Sequence, residues 1–134
     1  MYKKILIALA LDQGHAPAAF ELARKLRSEG GEIVAVHVIE KVPSFANLYI
    51  TPDNEENIEK AAKQAIIDRI GEQKDAESVV LIGHPGRTVT DYAETIGADC
   101  IIAGSHKPNV TDFFLGSTAA RIMRYAKCSV HVLR

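Results

Sequence analysis

The 134-residue chain has little of several residue types that mark particular protein classes. Its two cysteines, Cys100 and Cys128, are too few for a disulfide framework, and no Cys-x-x-Cys pair or zinc-like Cys/His spacing occurs. We expect both to be buried thiols. No apolar run approaches the ~18 residues that a membrane span needs, and no signal peptide is visible. These absences predict a cytoplasmic protein that has no membrane segment.

Charge of one sign is also scarce, since the formal net charge is −1. The overall field therefore gives no reason to expect binding to nucleic acid or to an acidic membrane. Apolar residues make up 47% and charged residues 25%, which is typical of soluble folded proteins. No linker, repeat or low-complexity tract interrupts the chain. We therefore predict one domain over residues 1–134.

Five short runs rich in Ile, Val and Leu predict five strands. The runs cover residues 5–11, 33–39, 79–82, 100–103 and 130–133. Most of their positions do not alternate with polar residues. That pattern is typical of strands buried on both faces of a parallel sheet.

Apolar stripes with helical spacing lie between these runs and predict four helices. The stripes are Ala19, Leu22, Ala23 and Leu26; Ile58, Ala62, Ala65 and Ile66; Val89, Tyr92, Ala93 and Ile96; and Ala119, Ile122, Met123 and Ala126. Gly30-Gly31, Gly71 and Gly97 stand where helices are expected to end. The order βαβαβαβαβ predicts an open, doubly wound, Rossmann-like α/β sheet with helices on both faces. Its ligand site is expected outside the carboxyl ends of the strands.

The most informative segment follows the fourth predicted strand. It reads Gly104-Ser105-His106-Lys107-Pro108, and Gly116-Ser117-Thr118 stands directly before the fourth helix. A helix N-terminus has free N–H groups that bind phosphate, and Gly116 allows close approach. The alternative is that Gly104 only ends a strand and Ser117 only caps a helix. Both interpretations remain open from spacing alone.

Other nucleotide signatures are missing. The chain has no G-x-x-x-x-G-K-[ST] loop and no G-x-G-x-x-G after the first strand. Gly83-His84-Pro85-Gly86 forms a predicted turn after the third strand, which is a weak signal by itself.

The last third of the chain resembles a known family. Residues 101–134 read IIAGSHKPNVTDFFLGSTAARIMRYAKCSVHVLR, which is similar to universal stress proteins of the bacterial F/G-type branch. The opening YKKILIALALD, His37-Val38 and the Gly83-x-Pro85 turn resemble the family too. The resemblance extends over the whole chain, and it is most specific in the last third.

The resemblance implies a strand order of 3-2-1-4-5 and a cleft for ATP, ADP or AMP, with Mg²⁺ as an optional companion. Val38 matches the position that contacts adenine. Gly83 and Pro85, in the turn after the third strand, are also candidate nucleotide-binding residues. The positions that match the ribose and phosphate loop are Gly104, Gly116, Ser117 and Thr118, with Ser105, His106 and Lys107 inside that loop. The resemblance also implies homodimers that pair through the last strand, Ser129–Leu133, and it leaves tetramers open.

Two positions depart from the family pattern. Ala10 stands where the family usually has an Asp near adenine or ribose, and Asp12 two residues later is the candidate replacement. Lys107 stands where the common loop has Gly. Its side chain either supplies a positive charge to phosphate or is simply solvated.

No catalytic arrangement emerges from the five histidines. His37 and His131 lie in strands and are expected to be packed or, for His131, at an interface. His84 and His106 directly follow strand ends. Each is either a contact for phosphate or ribose or a solvated loop residue.

Three functions therefore remain. The first is a nucleotide-binding stress protein, and the second is a nucleotide-free interaction module. The third is a slow ATPase or self-phosphorylating protein, with Ser105, Ser117 or Thr118 as the acceptor.

Overall fold

A computed structural model describes residues 1–9, 16–40, 52–105 and 115–134. These residues form five strands and four helices that alternate along the chain. The elements are β1 (Tyr2–Leu9), α1 (Ala16–Leu26), β2 (Arg27–Glu40), α2 (Pro52–Ile70), β3 (Glu77–Gly83), α3 (Pro85–Ile96), β4 (Cys100–Gly104), α4 (Ser117–Tyr125) and β5 (Ser129–Leu133). Among the described residues, no helix is long and apolar enough to cross a membrane.

The five strands form one parallel sheet in the order β3-β2-β1-β4-β5. This confirms the predicted doubly wound α/β class and the strand order 3-2-1-4-5. The chain moves outward in one direction from β1 to β3, then returns to place β4 on the other side of β1. The strand order therefore reverses between β1 and β4, which is where a sheet of this kind leaves a crevice.

Two hydrophobic clusters lie on the two faces of the sheet. On one face Phe20 and Ile66, from α1 and α2, pack against Ile5, Ile7 and other buried strand residues. On the other face Val89 and Ala93 of α3 and Ile122 of α4 pack against Leu6 and Ile101. The central strands contribute to both clusters, as their unbroken apolar sequences predict.

The edge strand β5, which pairs with β4, is less buried than its apolar sequence predicts. Ser129 and His131 of β5 are exposed, whereas Cys100 to Ala103 of β4 are buried. His131 is therefore not packed within this chain, and its place at an interface stays a prediction. The reason is positional, because β5 is the last strand of the sheet and has a neighbour on one side only.

Glycine ends two of the helices as predicted. Gly97 follows α3 in the left-handed conformation at φ 71°, and its N–H donates back to the last turn. Gly71 follows α2 at φ 76°. These positive φ values suit glycine because other residues pay a steric cost there.

The prediction that Gly30-Gly31 ends a helix is wrong. α1 ends at Leu26, and the two glycines lie inside β2. The β1–β2 register shifts there, from Tyr2 opposite Arg27 to Lys4 opposite Glu32. A Cβ on Gly31 would lie 2.7 Å from Cγ of Arg27, so this irregular start of β2 needs glycine for close approach.

Three predicted core positions also face solvent. Met123 of α4 is 52% exposed and Ala65 of α2 is exposed, and Ile58 is only partly covered. Ala119 and Ile122 are buried, so the stripe on α4 is narrower than its sequence predicts. α4 connects β4 to the edge strand β5, and the sheet there is too narrow to cover a wide helix face.

The two cysteines lie on opposite faces of the sheet. Cys100 is buried in the cluster under α1, and burial raises the pKa of its thiol to about 11. Cys128 is half-buried against the cluster under α3 and α4, and burial raises its pKa as well. The expectation of buried thiols is confirmed for Cys100 and met in part for Cys128. Both shifts lower the fraction of thiolate, which is the nucleophilic form, at neutral pH.

Candidate functional site

The described strands all run in one direction, so their carboxyl ends lie along one edge of the sheet. We call this edge, which carries the ends of β1, β2, β3, β4 and β5, the carboxyl edge. At its centre β1 and β4 are paired, with Ala8 opposite Ala103, and the strand order reverses between them. The candidate site is the crevice outside this pair.

Ser105 ties three elements together at this crevice. Its backbone N–H donates to the carbonyl oxygen of Leu133, at the end of β5, over 2.7 Å. Its own carbonyl oxygen accepts a hydrogen bond from the N–H of Gly116. Ser105 is 1% exposed. The end of β4 and the start of α4 are therefore held side by side, although ten residues separate them in sequence.

The N-terminus of α4 is uncapped by side chains among the described residues. Gly116 occupies the cap position at φ −57° and ψ 149°, which rules out the alternative in which Ser117 is the cap. The first helical bond runs from the N–H of Ala120 to the carbonyl of Gly116 over 2.9 Å. The N–H groups of Ser117, Thr118 and Ala119 therefore have no partner within the helix. With no acidic residue in the first turn, this end attracts anions.

The predicted residues of β2 and β3 reach the same edge. Val38 is half-buried and packs on the face of the sheet that α3 and α4 cover. Pro85 is the first residue of α3 and directly follows the end of β3. At Gly83 an added Cβ would lie 2.5 Å from Oγ1 of Thr88, so only glycine fits this turn. The structure therefore brings Val38 and the Gly83–Pro85 turn to the carboxyl edge, on the face that carries α4.

Four predicted site residues, Ala10, Asp12, His106 and Lys107, lie outside the described residues. His37 lies within β2, and its Nδ1 is 3.5 Å from the carbonyl oxygen of Leu9, so it faces the end of β1. His84 is exposed at the cap position of α3 and makes no side-chain capping bond.

Sequence reasoning missed a close contact between the first turn of α3 and the second turn of α4. Gly86, the second residue of α3, is buried, and an added Cβ would lie 2.9 Å from Cβ and 3.1 Å from Cγ of Arg121. The aliphatic part of Arg121 therefore lies directly on the backbone of α3. The sequence analysis placed Gly86 in a turn after the third strand, and no local pattern there indicates contact with a residue of the last helix.

Metal-binding side chains do not cluster in the part of the chain that the structure describes. No group of three or more His, Cys, Asp or Glu residues lies close enough there to hold an ion. The donors at the described part of the site are backbone N–H groups and the hydroxyls of Ser117 and Thr118.

The whole chain, residues 1–134, matches the model of the universal stress protein family. Universal stress protein A homolog 2 of Coxiella burnetii is 31% identical over 99% of this chain and 95% of its own length. Universal stress protein G of Shigella flexneri is 25% identical over the full length of both chains, which agrees with the F/G-type resemblance.

Solved structures share the fold. Hypothetical protein MJ0577 superposes with a TM-score of 0.74 at 26% identity, covering 99% of this chain and 96% of its own. A universal stress protein from Archaeoglobus fulgidus, solved in complex with dAMP, gives a TM-score of 0.63 at 19% identity, with 99% and 98% coverage. The sequence match over the full length, together with this strand order, shows that the chain belongs to the universal stress protein family.

Proposed function

We propose that this chain binds an adenine nucleotide at the crevice between β1 and β4 and acts as a regulatory protein of the stress response. The observation that carries the proposal is the junction at Ser105, which holds the uncapped start of α4 against the end of β4. The dAMP bound by the related Archaeoglobus fulgidus protein supports an adenine nucleotide as the ligand class.

The phosphates would bind at the start of α4. Three N–H groups that have no partner within the helix, together with the positive end of the helix dipole, favour negative charge there. Gly116 has an ordinary negative φ, so glycine is not needed for the local backbone conformation. Its lack of a side chain would let a ligand approach the backbone closely.

The base would lie against β2. Val38 offers a half-buried apolar side chain at the carboxyl edge, which suits the flat apolar face of adenine. Gly104 would leave room for ribose at the end of β4. Ala10, Asp12, His106 and Lys107 stay in the proposal as residues near ribose and phosphate, on the strength of the family pattern.

The finer ligand we propose is ATP, with ADP or AMP as alternatives. Mg²⁺ would enter with the phosphates, because this ion usually keeps several waters and takes few protein ligands. The described donors fit that mode, since Ser117 and Thr118 supply hydroxyls and no carboxylate cluster is present among the described residues.

A storage or sensing role fits these residues better than efficient catalysis. Ser105 is buried and both its backbone groups are bonded, so it is poorly placed as a phosphate acceptor. Ser117 and Thr118 are more accessible and remain the acceptors to examine if slow self-phosphorylation is found. In that chemistry the acceptor oxygen would attack the terminal phosphorus, and ADP would leave.

We also propose that the protein forms homodimers through β5, with tetramers as a further possibility, in the reducing cytoplasm. The exposed edge of β5 supports pairing, as do the exposed side chains of Met123 and Tyr125 on the neighbouring helix. The same surface would serve a nucleotide-free interaction module, which is the second candidate function.

The first test is to purify the protein gently without added nucleotide, denature it and identify released small molecules by mass spectrometry. We expect ATP, ADP or AMP in near-stoichiometric amount. If the protein is empty and also fails to bind added ATP in calorimetry, the interaction module becomes the better assignment.

A double variant locates the site. Gly116→Val with Ser117→Val fills the space before α4 and removes a hydroxyl, so we expect nucleotide binding to fall below detection. Ala120→Val, one residue beyond the free N–H groups on an exposed position, is the control and should bind normally. Equal affinity in the double variant and the wild type would place the phosphates elsewhere.

A further inference from the structure

Arg121 is set apart from the other arginines of α3 and α4 by what its charged end contacts. Arg87 lies 4.0 Å from the carboxylate of Asp91, and the guanidinium of Arg124 lies 5.6 Å from the ring centre of Tyr125. No described residue accepts a hydrogen bond or forms an ion pair with Arg121, which is exposed. Its stem is nevertheless fixed, because Cβ, Cγ and Cδ lie on Gly86.

The contact with Gly86 places the stem of Arg121 beside the first turn of α3. Arg121 is the fifth residue of α4, and Gly86 is the second residue of α3. Both helices begin at the carboxyl edge, so the contact lies within the first two turns of each helix. Helical side chains lean toward the N-terminus of their own helix, so we expect the charged end of Arg121 on the side of the carboxyl edge.

We propose that Arg121 is a specificity-determining residue of the nucleotide site, one that selects polyphosphates over nucleosides. This inference rests on the proposed function and adds a side-chain cation to its backbone donors. Arginine suits the task, because its planar guanidinium donates two parallel hydrogen bonds to phosphate oxygens. Gly86 serves as the positioning residue, since any larger side chain would push the Arg121 stem away from α3.

The test compares a ligand series on matched variants. Arg121→Gln keeps Cβ, Cγ and Cδ, the three atoms that pack on Gly86, and removes only the cation. Calorimetry with adenosine, AMP, ADP and ATP is carried out on nucleotide-free protein at low salt. We expect ATP affinity to fall about tenfold and adenosine affinity to stay unchanged, so that the ATP-to-adenosine ratio falls.

Two further variants separate charge from packing. Arg124→Gln makes the same charge change one turn further along α4 and should leave the ATP-to-adenosine ratio unchanged. Arg121→Lys should recover part of the ATP affinity, because a cation remains without the planar fork. In the wild type alone, added salt should narrow the gap between ATP and adenosine.

The outcomes distinguish this inference from the proposed function. If the wild type binds adenosine and ATP, and Arg121→Gln weakens both equally or neither, Arg121 is only a packing residue and the inference is wrong. If the nucleotide-free wild type binds no ligand of the series, the proposed function fails and the inference fails with it.

Discussion

At the scale of single residues, Asp99 joins the starts of two neighbouring strands. Its carboxylate accepts hydrogen bonds from the backbone N–H groups of Lys3 at 2.9 Å and Lys4 at 3.0 Å. Its own N–H donates to the carbonyl of Lys4. Partial burial disfavours the charge of Asp99, but the two N–H donors outweigh it and lower the pKa of the carboxyl.

The lowered pKa of Asp99 predicts a loss of stability in acid. A carboxyl whose pKa is lower in the folded state stabilises fully above its unfolded pKa of about 3.9. That contribution is lost as the pH falls through the folded value. We expect the free energy of unfolding to fall below about pH 4, and Asp99→Asn to reduce this slope. At pH 7 the variant should cost about 1–2 kcal/mol, measured by urea unfolding.

The control for Asp99→Asn is the same substitution at an aspartate that contributes less to stability. Asp91 is exposed on α3 and lies 4.0 Å from Arg87, so Asp91→Asn should change stability by less than about 0.5 kcal/mol. Identical pH profiles for wild type and Asp99→Asn would show that other carboxyls, such as Asp75 beside Arg24, cause the acid sensitivity.

The sequence predicted the site residues that a motif describes, and it missed those that only packing reveals. Gly104 and Gly116 could be chosen because strand ends and helix starts are visible as changes of pattern. The contact of Gly86 with Arg121 depends on how closely two helices approach, which no local pattern states. The backbone role of Ser105 was hidden for the same reason, since its partner Leu133 is 28 residues away in sequence.

At the scale of elements, central strands were predicted better than edges. β1 and β4 are buried on both faces and read as continuous apolar runs. β5 has a similar sequence but lies at the edge of the sheet. Its burial depends on whether another strand pairs with it, which the sequence of β5 does not indicate. Gly30-Gly31 was misread as a helix end because glycine also marks an irregular strand.

The outer edge of β5 can be assigned to particular residues. The carbonyl of Leu133 accepts from Ser105, which follows β4, so the backbone groups of Leu133 point toward β4. Backbone direction alternates along a strand. His131 therefore also directs its N–H to β4, whereas Val130 and Val132 direct theirs outward, where a second copy would pair.

Proline substitution in β5 should separate dimerisation from folding. Val132→Pro removes an outward N–H and leaves the β4–β5 bonds in place, so we expect a folded monomer. His131→Pro removes an N–H that faces β4, so it should lower the free energy of unfolding as well. Light scattering after size exclusion gives the mass, and urea unfolding gives the stability. A Val132→Pro protein that remains a dimer would move the interface away from β5.

At the scale of the whole molecule, the proposed nucleotide site and the proposed dimer strand share one junction. Ser105 accepts from Gly116 at the start of α4 and donates to Leu133 at the end of β5. A ligand that orders the start of α4 would therefore restrain the end of β5 through two backbone hydrogen bonds. Coupling of this kind is reciprocal, because each bound state favours the other by the same free energy.

This linkage predicts that ATP slows hydrogen exchange in β5 as well as at the start of α4. The measurement is exchange followed by mass spectrometry, with peptides that separate residues 116–120 from residues 129–133. It should be made on Val132→Pro, so that dimer formation cannot itself protect β5. Peptides from α1, which does not touch Ser105 or Gly116 in the hydrogen-bond pattern, serve as the internal control. Protection confined to residues 116–120 would mean that the junction transmits nothing. Joint protection would mean that nucleotide binding directly affects the strand edge at which we propose that the dimer pairs.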